Sequence, residues 1–126
     1  MDNYFKKRYN SFKFALRGLN AAMRSEPHMR LHLGSALGVV VAGFLFEVTA
    51  VEWCLLVGCM GVVFMAEIFN TAIETVINLV SPDYHVLAGK AKDLAAGAVL
   101  AAAIMAAVIG LIIFVPYLLS FVDYYL

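Results

Sequence analysis

Apolar residues recur in this chain in two ways: as a spaced stripe over the first two dozen positions, then as three long runs. Over residues 2–24, Phe5, Tyr9, Phe12, Leu16, Leu19 and Met23 return at intervals of three and four, while Lys6, Lys13, Arg17 and Arg24 fall off the stripe. That period predicts an amphipathic helix, and a basic, aromatic-rich helix beside a membrane span is expected to lie in the headgroup plane. Ser25-Glu26-Pro27 then breaks the direction, with Ser25 expected to cap a new helix and Pro27 in its first turn.

The three runs read as membrane spans over about 28–46, 53–80 and 93–115. The second opens on Trp53, an aromatic at the place of an interfacial belt residue, after a turn from Glu47 to Glu52. Ser81-Pro82-Asp83 punctuates the chain, with Ser81 expected as a cap and Pro82 as the first helical residue. Pro116 is expected to bend or end the third span, and Tyr117, Tyr124 and Tyr125 to mark the far interface. The pattern predicts one domain over 1–126: an all-α membrane protein of three transmembrane helices with an N-terminal amphipathic surface helix.

Composition agrees. The chain is 63% hydrophobic and 14% charged, with a mean hydropathy of +0.87, whereas average soluble domains are about half apolar and about a quarter charged. Zero net charge gives no reason to expect a nucleic-acid partner. Cys54 and Cys59 sit roughly 140° apart on a helix, so they cannot bridge each other and are read as small buried apolar residues. The polar, basic first thirty residues lack an early apolar segment, so the N-terminus is expected to be retained. Seven of the nine basic residues precede Leu31, and the other two, Lys90 and Lys92, lie between the second and third spans. The positive-inside rule then puts the N-terminus and the Ser81–Lys92 segment in the cytoplasm, the pairing of sides that three spans require.

One stretch conflicts with a bilayer. Glu67, Asn70, Glu74 and Asn78 are spaced by three, four and four, and at about 100° per residue they fall within an arc of roughly 80°. An ionised carboxylate at membrane depth costs a few kcal/mol, so this row is expected to face protein or water and to mark function. Fourteen residues beyond Trp53, roughly 21 Å of helix, Glu67 falls just inside the cytoplasmic boundary of a hydrocarbon core about 30 Å thick, with Glu74 about 10 Å further on. A lipid hydroxyl is within reach of the first, and a water-soluble phosphate donor within reach of the second. Glu26, His85, Lys92 and Asp93 gather at the same level. Carboxylates such as Glu26 and Glu74 are the ligand type that Mg²⁺ takes while holding phosphates. Lys92 can neutralise phosphate charge, and Glu67 is a candidate base for a hydroxyl. No Walker A loop is present: Gly89-Lys90 is followed by Ala91. Two other classes fit parts of the pattern: a cation- or proton-coupled transport subunit using the same carboxylates, and a non-catalytic assembly protein held by polar contacts.

The segment Ala66–Glu74, with Tyr84-His85 and the run Ala91–Leu100, strongly resembles the prokaryotic diacylglycerol kinase / undecaprenol kinase family. The stretch Arg17–Glu26 and the pattern Arg30-Leu31-His32 resemble its N-terminal part, and Arg30-x-His32 looks more like the undecaprenol kinase branch. The resemblance implies a homotrimer with active sites between protomers at the cytoplasmic face of the bacterial inner membrane. It implies Mg²⁺ and ATP as cofactor and phosphoryl donor, and a membrane lipid, diacylglycerol or undecaprenol, as acceptor. By position it makes Glu67 the base, Glu26 and Glu74 the metal ligands, and Asn70 a supporting residue. It gives nucleotide contacts to Lys7, Phe14, Glu26, Glu74, Asp83, His85, Lys92 and Asp93. Asn78 departs from the family's usual Asp, and His28 from its usual Asn.

Overall fold

The computed structural model describes residues 2–125, without the side chains of residues 2, 3, 25 and 125, and the described part is built of four helices. They are α1 (Asp2–Ser25), α2 (Pro27–Leu45), α3 (Ala50–Val80) and α4 (Val86–Tyr125). The last three are each long and apolar enough to cross a membrane, with mean hydropathies of 1.3, 1.9 and 3.0 over an 18-residue stretch of each. Their outer faces are apolar too: Leu37, Leu100, Leu111 and Ile112 are all exposed. A surface of that kind suits lipid rather than water, so the chain is a multi-pass membrane protein.

Most of the packing joins α3 to α4. On α3 the buried positions Leu56, Cys59, Val63 and Glu67 follow one another at three and four residues. On α4 the matching stripe is Ala95, Val99, Ala102, Ala106, Ile109 and Ile113, all buried or half-buried. Two such seams interlock as in a left-handed helix pair. Polar pins hold the two ends. Lys92 Nζ donates to Asn78 Oδ1 at 2.7 Å, and Tyr117 OH donates to Glu52 Oε2 at 2.9 Å. Twenty-six positions separate Glu52 from Asn78 on α3, and twenty-five separate Lys92 from Tyr117 on α4. The helices therefore run antiparallel without slipping, and the pins stand about 38–39 Å apart. That spacing is close to the roughly 40–45 Å thickness of a bilayer with its headgroups.

The α2–α3 turn is tightly specified. Thr49 and Glu52 form a capping box: Glu52 N–H donates to Thr49 Oγ1, and Thr49 N–H donates to Glu52 Oε2. Glu47, with φ of 51°, turns the chain through the left-handed region. Val48, Leu56 and Ile113 form a small core there, packed by Phe46, Trp53, Phe114 and Tyr117. Gly43 lies under Trp53, and a Cβ at that position would come within 2.7 Å of the indole Cη2. The ring is rigid, so Gly43→Ala is expected to cost about 1–3 kcal/mol by overpacking, read as a lower melting temperature in micelles. Unchanged melting would show that Trp53 moves aside freely.

Several sequence expectations change. Ser25 ends α1, and Glu26, in extended conformation, is the residue that precedes α2, with Pro27 at its start. Ser81 closes α3 instead of opening α4, and Pro82 lies outside both helices. The Ser81 hydroxyl is taken by the Asp83 carbonyl at 3.1 Å. Trp53 is inside α3, because the capping box starts the helix at Ala50. Pro116 neither ends α4 nor interrupts it. It removes the N–H that would bond the Ile112 carbonyl, but an apolar helix gains by keeping every other backbone bond, and the Tyr117 pin holds the next turn in place. Cys59 is buried as expected, but Cys54 is exposed on the outer face, five residues round the helix from it. Among the small residues of α4, Ala95, Ala102, Ala106 and Gly110 are buried or half-buried, whereas Gly97 and Ala98 are exposed. The side chain of Tyr125 lies outside the described residues.

Candidate active site

The α3 seam changes chemistry halfway along. From Leu56 to Val63 it is apolar, and the next inward positions are Glu67, Asn70 and Glu74, with Asn78 exposed at its end. The polar row is thus a continuation of the packing seam, which is why it is turned toward protein rather than lipid. Glu67 is 3% exposed, the one buried charged residue among those described. With the pins fixing the register, α4 offers Val99, Ala102 and Ala103 at that level, which are apolar and mostly small. Among the described residues the Glu67 carboxylate has no hydrogen-bond donor; only its backbone carbonyl is used, by Thr71 Oγ1 at 3.0 Å.

One turn on, Asn70 Nδ2 donates to Glu74 Oε1 at 3.3 Å. Its carboxamide oxygen is buried and without a partner. Such an atom costs about 1–3 kcal/mol if left unsatisfied, so a donor or a cation is expected there. Asn78 then meets Lys92 of α4. Glu67 and Glu74 stand about 10 Å apart along the helix, and Glu67 and Asn78 about 16 Å.

The remaining sequence-predicted residues divide by place. Glu26 sits half-buried at the α1–α2 junction, with its carboxylate making no cap bond to α2. Asp83 is exposed in the α3–α4 connection. His85 precedes α4, and its Nδ1 accepts from Leu87 N–H at 3.2 Å, which caps the helix and leaves Nε2 turned outward. Asp93 is exposed beside half-buried Lys92. Chain direction places the α1–α2 junction and the α3–α4 connection at the same end of the bundle as Glu74. Lys7 and Phe14 are not brought to the row by hydrogen bonds. They share one face of α1 and line a shallow hollow with Lys6, Asn10 and Ser11, about 28 and 18 Å of helix from Glu26.

Two features escaped sequence reasoning. The Thr49–Glu52–Tyr117 pin carried a readable signal, Thr followed by Glu three residues later. The second is an apolar groove of about 360 Å³ between α2, α3 and α4, lined by His32, Ser35, Val63, Phe64, Ala103 and Ala107 among others. Val63, in its lining, is one turn from Glu67 on the same seam, so the groove comes within about a turn of the buried carboxylate.

Residues 13–114 match the family model described as prokaryotic diacylglycerol kinase. The match takes in Phe14 and every other site residue named above except Lys7. The chain is 39% identical over 116 residues to the undecaprenol kinase of Bacillus subtilis (strain 168), covering 92% of this chain and 94% of that protein. It is 36% identical over 95 residues to the diacylglycerol kinase of Escherichia coli (strain K12), covering 75% and 78%. A diacylglycerol kinase of Synechocystis is 39% identical over 111 residues, covering 87% of this chain and 63% of the relative.

Proposed function

Because the chain belongs to the prokaryotic diacylglycerol kinase family, and is thereby a lipid kinase, we propose that it transfers phosphate from ATP to the hydroxyl of a membrane lipid alcohol at the cytoplasmic boundary of the bacterial inner membrane. The observation that carries this reading is the Glu67 carboxylate, buried on an apolar helix with no donor among the described residues and one turn along the seam from an apolar groove. A lipid hydroxyl is the donor that completes it, with the hydrocarbon tail in the groove. Glu67 takes the hydroxyl proton as general base while the oxygen attacks phosphorus. About 10 Å along the helix to Glu74 leaves room for one phosphoryl group between the two carboxylates.

The residues present fit Mg²⁺. Glu74 and Glu26, at the same end of the bundle, supply the one or two carboxylates that this ion uses beside substrate phosphates, and the unpartnered oxygen of Asn70, whose amide nitrogen bonds Glu74, is a further hard acceptor. Bound there, Mg²⁺ supplies charge neutralisation for the phosphates. Lys92 adds a fixed cation, His85 Nε2 and Asp83 face the water side, and Asp93 flanks Lys92. Lys7 and Phe14 project from α1, which lies on the headgroup plane with its aromatic stripe in lipid, and a homotrimer brings such a helix to a neighbour's site. The N-terminus is cytoplasmic on this reading.

Undecaprenol is the preferred acceptor, on the strength of the undecaprenol kinase that aligns over 94% of its own length. Nothing in the relatives supports the transport reading. Purified protein in micelles with labelled ATP and either alcohol is expected to yield labelled lipid phosphate, more from undecaprenol than from diacylglycerol. Label in neither lipid would overturn the proposal.

A further inference from the structure

Asn78 is the one member of the polar row whose task the reading above leaves open, and it makes the only side-chain bond among the described residues that links the row to α4. Its Oδ1 accepts from Lys92 Nζ at 2.7 Å. Resting on the kinase reading, we propose that Asn78 is a positioning residue that holds the Lys92 ammonium in place for the nucleotide's phosphates while leaving its charge intact, and so sets the affinity for Mg-ATP.

Glu74 stands one turn from Asn78 on the same face of α3, about 6 Å along the axis. A lysine ammonium is a compact cation on a flexible stem, and the nearest anion on that face is the Glu74 carboxylate. Without a partner at position 78, the ammonium is free to fall onto Glu74, and both groups lose the charge that a metal-bound triphosphate needs. A carboxamide prevents this with a dipole: it fixes the ammonium by a charge-assisted hydrogen bond and contributes no opposing charge. A carboxylate at the same position, the family's usual Asp, would fix it equally well but offset part of its charge, so the amide is expected to hold Mg-ATP more tightly than the acid does. Position also matters. Lys92 is half-buried between the helices, so its stem is guided by α4 and only the head needs a tether. Asn70 serves Glu74 in the same manner from the other side, through Nδ2. The row thus alternates charged and neutral members, each amide orienting the neighbour that carries charge.

The test is steady-state kinetics of the full chain in micelles, with equilibrium binding of Mg-ATP measured alongside without turnover. Asn78→Asp is expected to raise the KM and Kd for Mg-ATP about tenfold and to leave the KM for the lipid alcohol within twofold. The dependence of Mg-ATP affinity on salt should become shallower, since the site has lost one net positive charge; a purely structural role would not move that slope. Asn78→Ala is expected to weaken Mg-ATP severalfold, and to have no further effect when Lys92 is already methionine. Unchanged Mg-ATP affinity in Asn78→Asp, or an Asn78→Ala effect that persists in the Lys92→Met background, would overturn the inference. The kinase reading fails separately: wild-type protein that binds Mg-ATP yet phosphorylates no lipid removes that reading, and the binding measurements still decide the role of Asn78.

Discussion

Glu67→Gln is expected to assemble and melt no lower than the wild type while its kcat falls by a factor of about 10²–10⁴, the usual contribution of a positioned general base. Glutamine has the shape of glutamate and the same reach, so the seam between Val63 and Asn70 is undisturbed. What it lacks is a site for the hydroxyl proton. Stability moves the other way. The wild-type carboxylate is 3% exposed with no donor among the described residues, and an ionised carboxylate held in an apolar seam costs several kcal/mol relative to water. Removing the charge relieves that cost. The pair of results, lost turnover with equal or higher melting temperature in the same micelles, separates a catalytic carboxylate from one that glues helices together. A structural Glu67 would give the opposite pair: activity near normal and a lower melting temperature.

The parts of this molecule that were legible in the sequence are those set by length and period. The three apolar runs follow from length and the common face of Glu67, Asn70 and Glu74 from counting at 100° per residue, and the helices and seam carry them. The Asn78 bond to α4 was legible for the same reason, since an amide on that face meets the neighbouring helix. Boundaries were harder, because they rest on competition between neighbours. Ser25 and Ser81 have the right side chains for opening a helix, but α1 ends on the first and α3 ends against the second. His85, an unusual cap, takes the place expected of Ser81. Pro116 does not end the helix as one of the two expectations had it, because the alternative, several unpaired carbonyls in an apolar setting, costs more than one lost bond. Cys54 misled because an apolar residue in a span is as much at home facing lipid as facing protein. The groove at Val63 and Ala103 could not be read at all from one chain's spacing, since it depends on which small residues of α4 stand opposite α3, a register that the two pins decide.

The row has a second carboxylate, and its loss should look different. Glu74→Gln is expected to lower kcat/KM for Mg-ATP by about 10² and to raise the Mg²⁺ concentration needed for half-maximal rate at least tenfold, with the KM for the lipid alcohol little changed. Magnesium takes charged oxygens and keeps several of its waters, so replacing one of two protein carboxylates by an amide removes much of the attraction without closing the site. The nearest polar neighbour survives the change, because Asn70 Nδ2, now 3.3 Å from Glu74 Oε1, finds the glutamine carbonyl oxygen in the same place. Any loss is therefore one of charge and not of geometry. Glu67→Gln, by contrast, should leave the Mg²⁺ requirement where it was, because that carboxylate lies about 10 Å deeper along the helix and is proposed to meet the acceptor hydroxyl instead. Titrating Mg²⁺ at fixed ATP in both variants checks the division of labour directly. If Glu74→Gln kept the wild-type Mg²⁺ curve, or Glu67→Gln shifted it, the two carboxylates would have to exchange roles or share one.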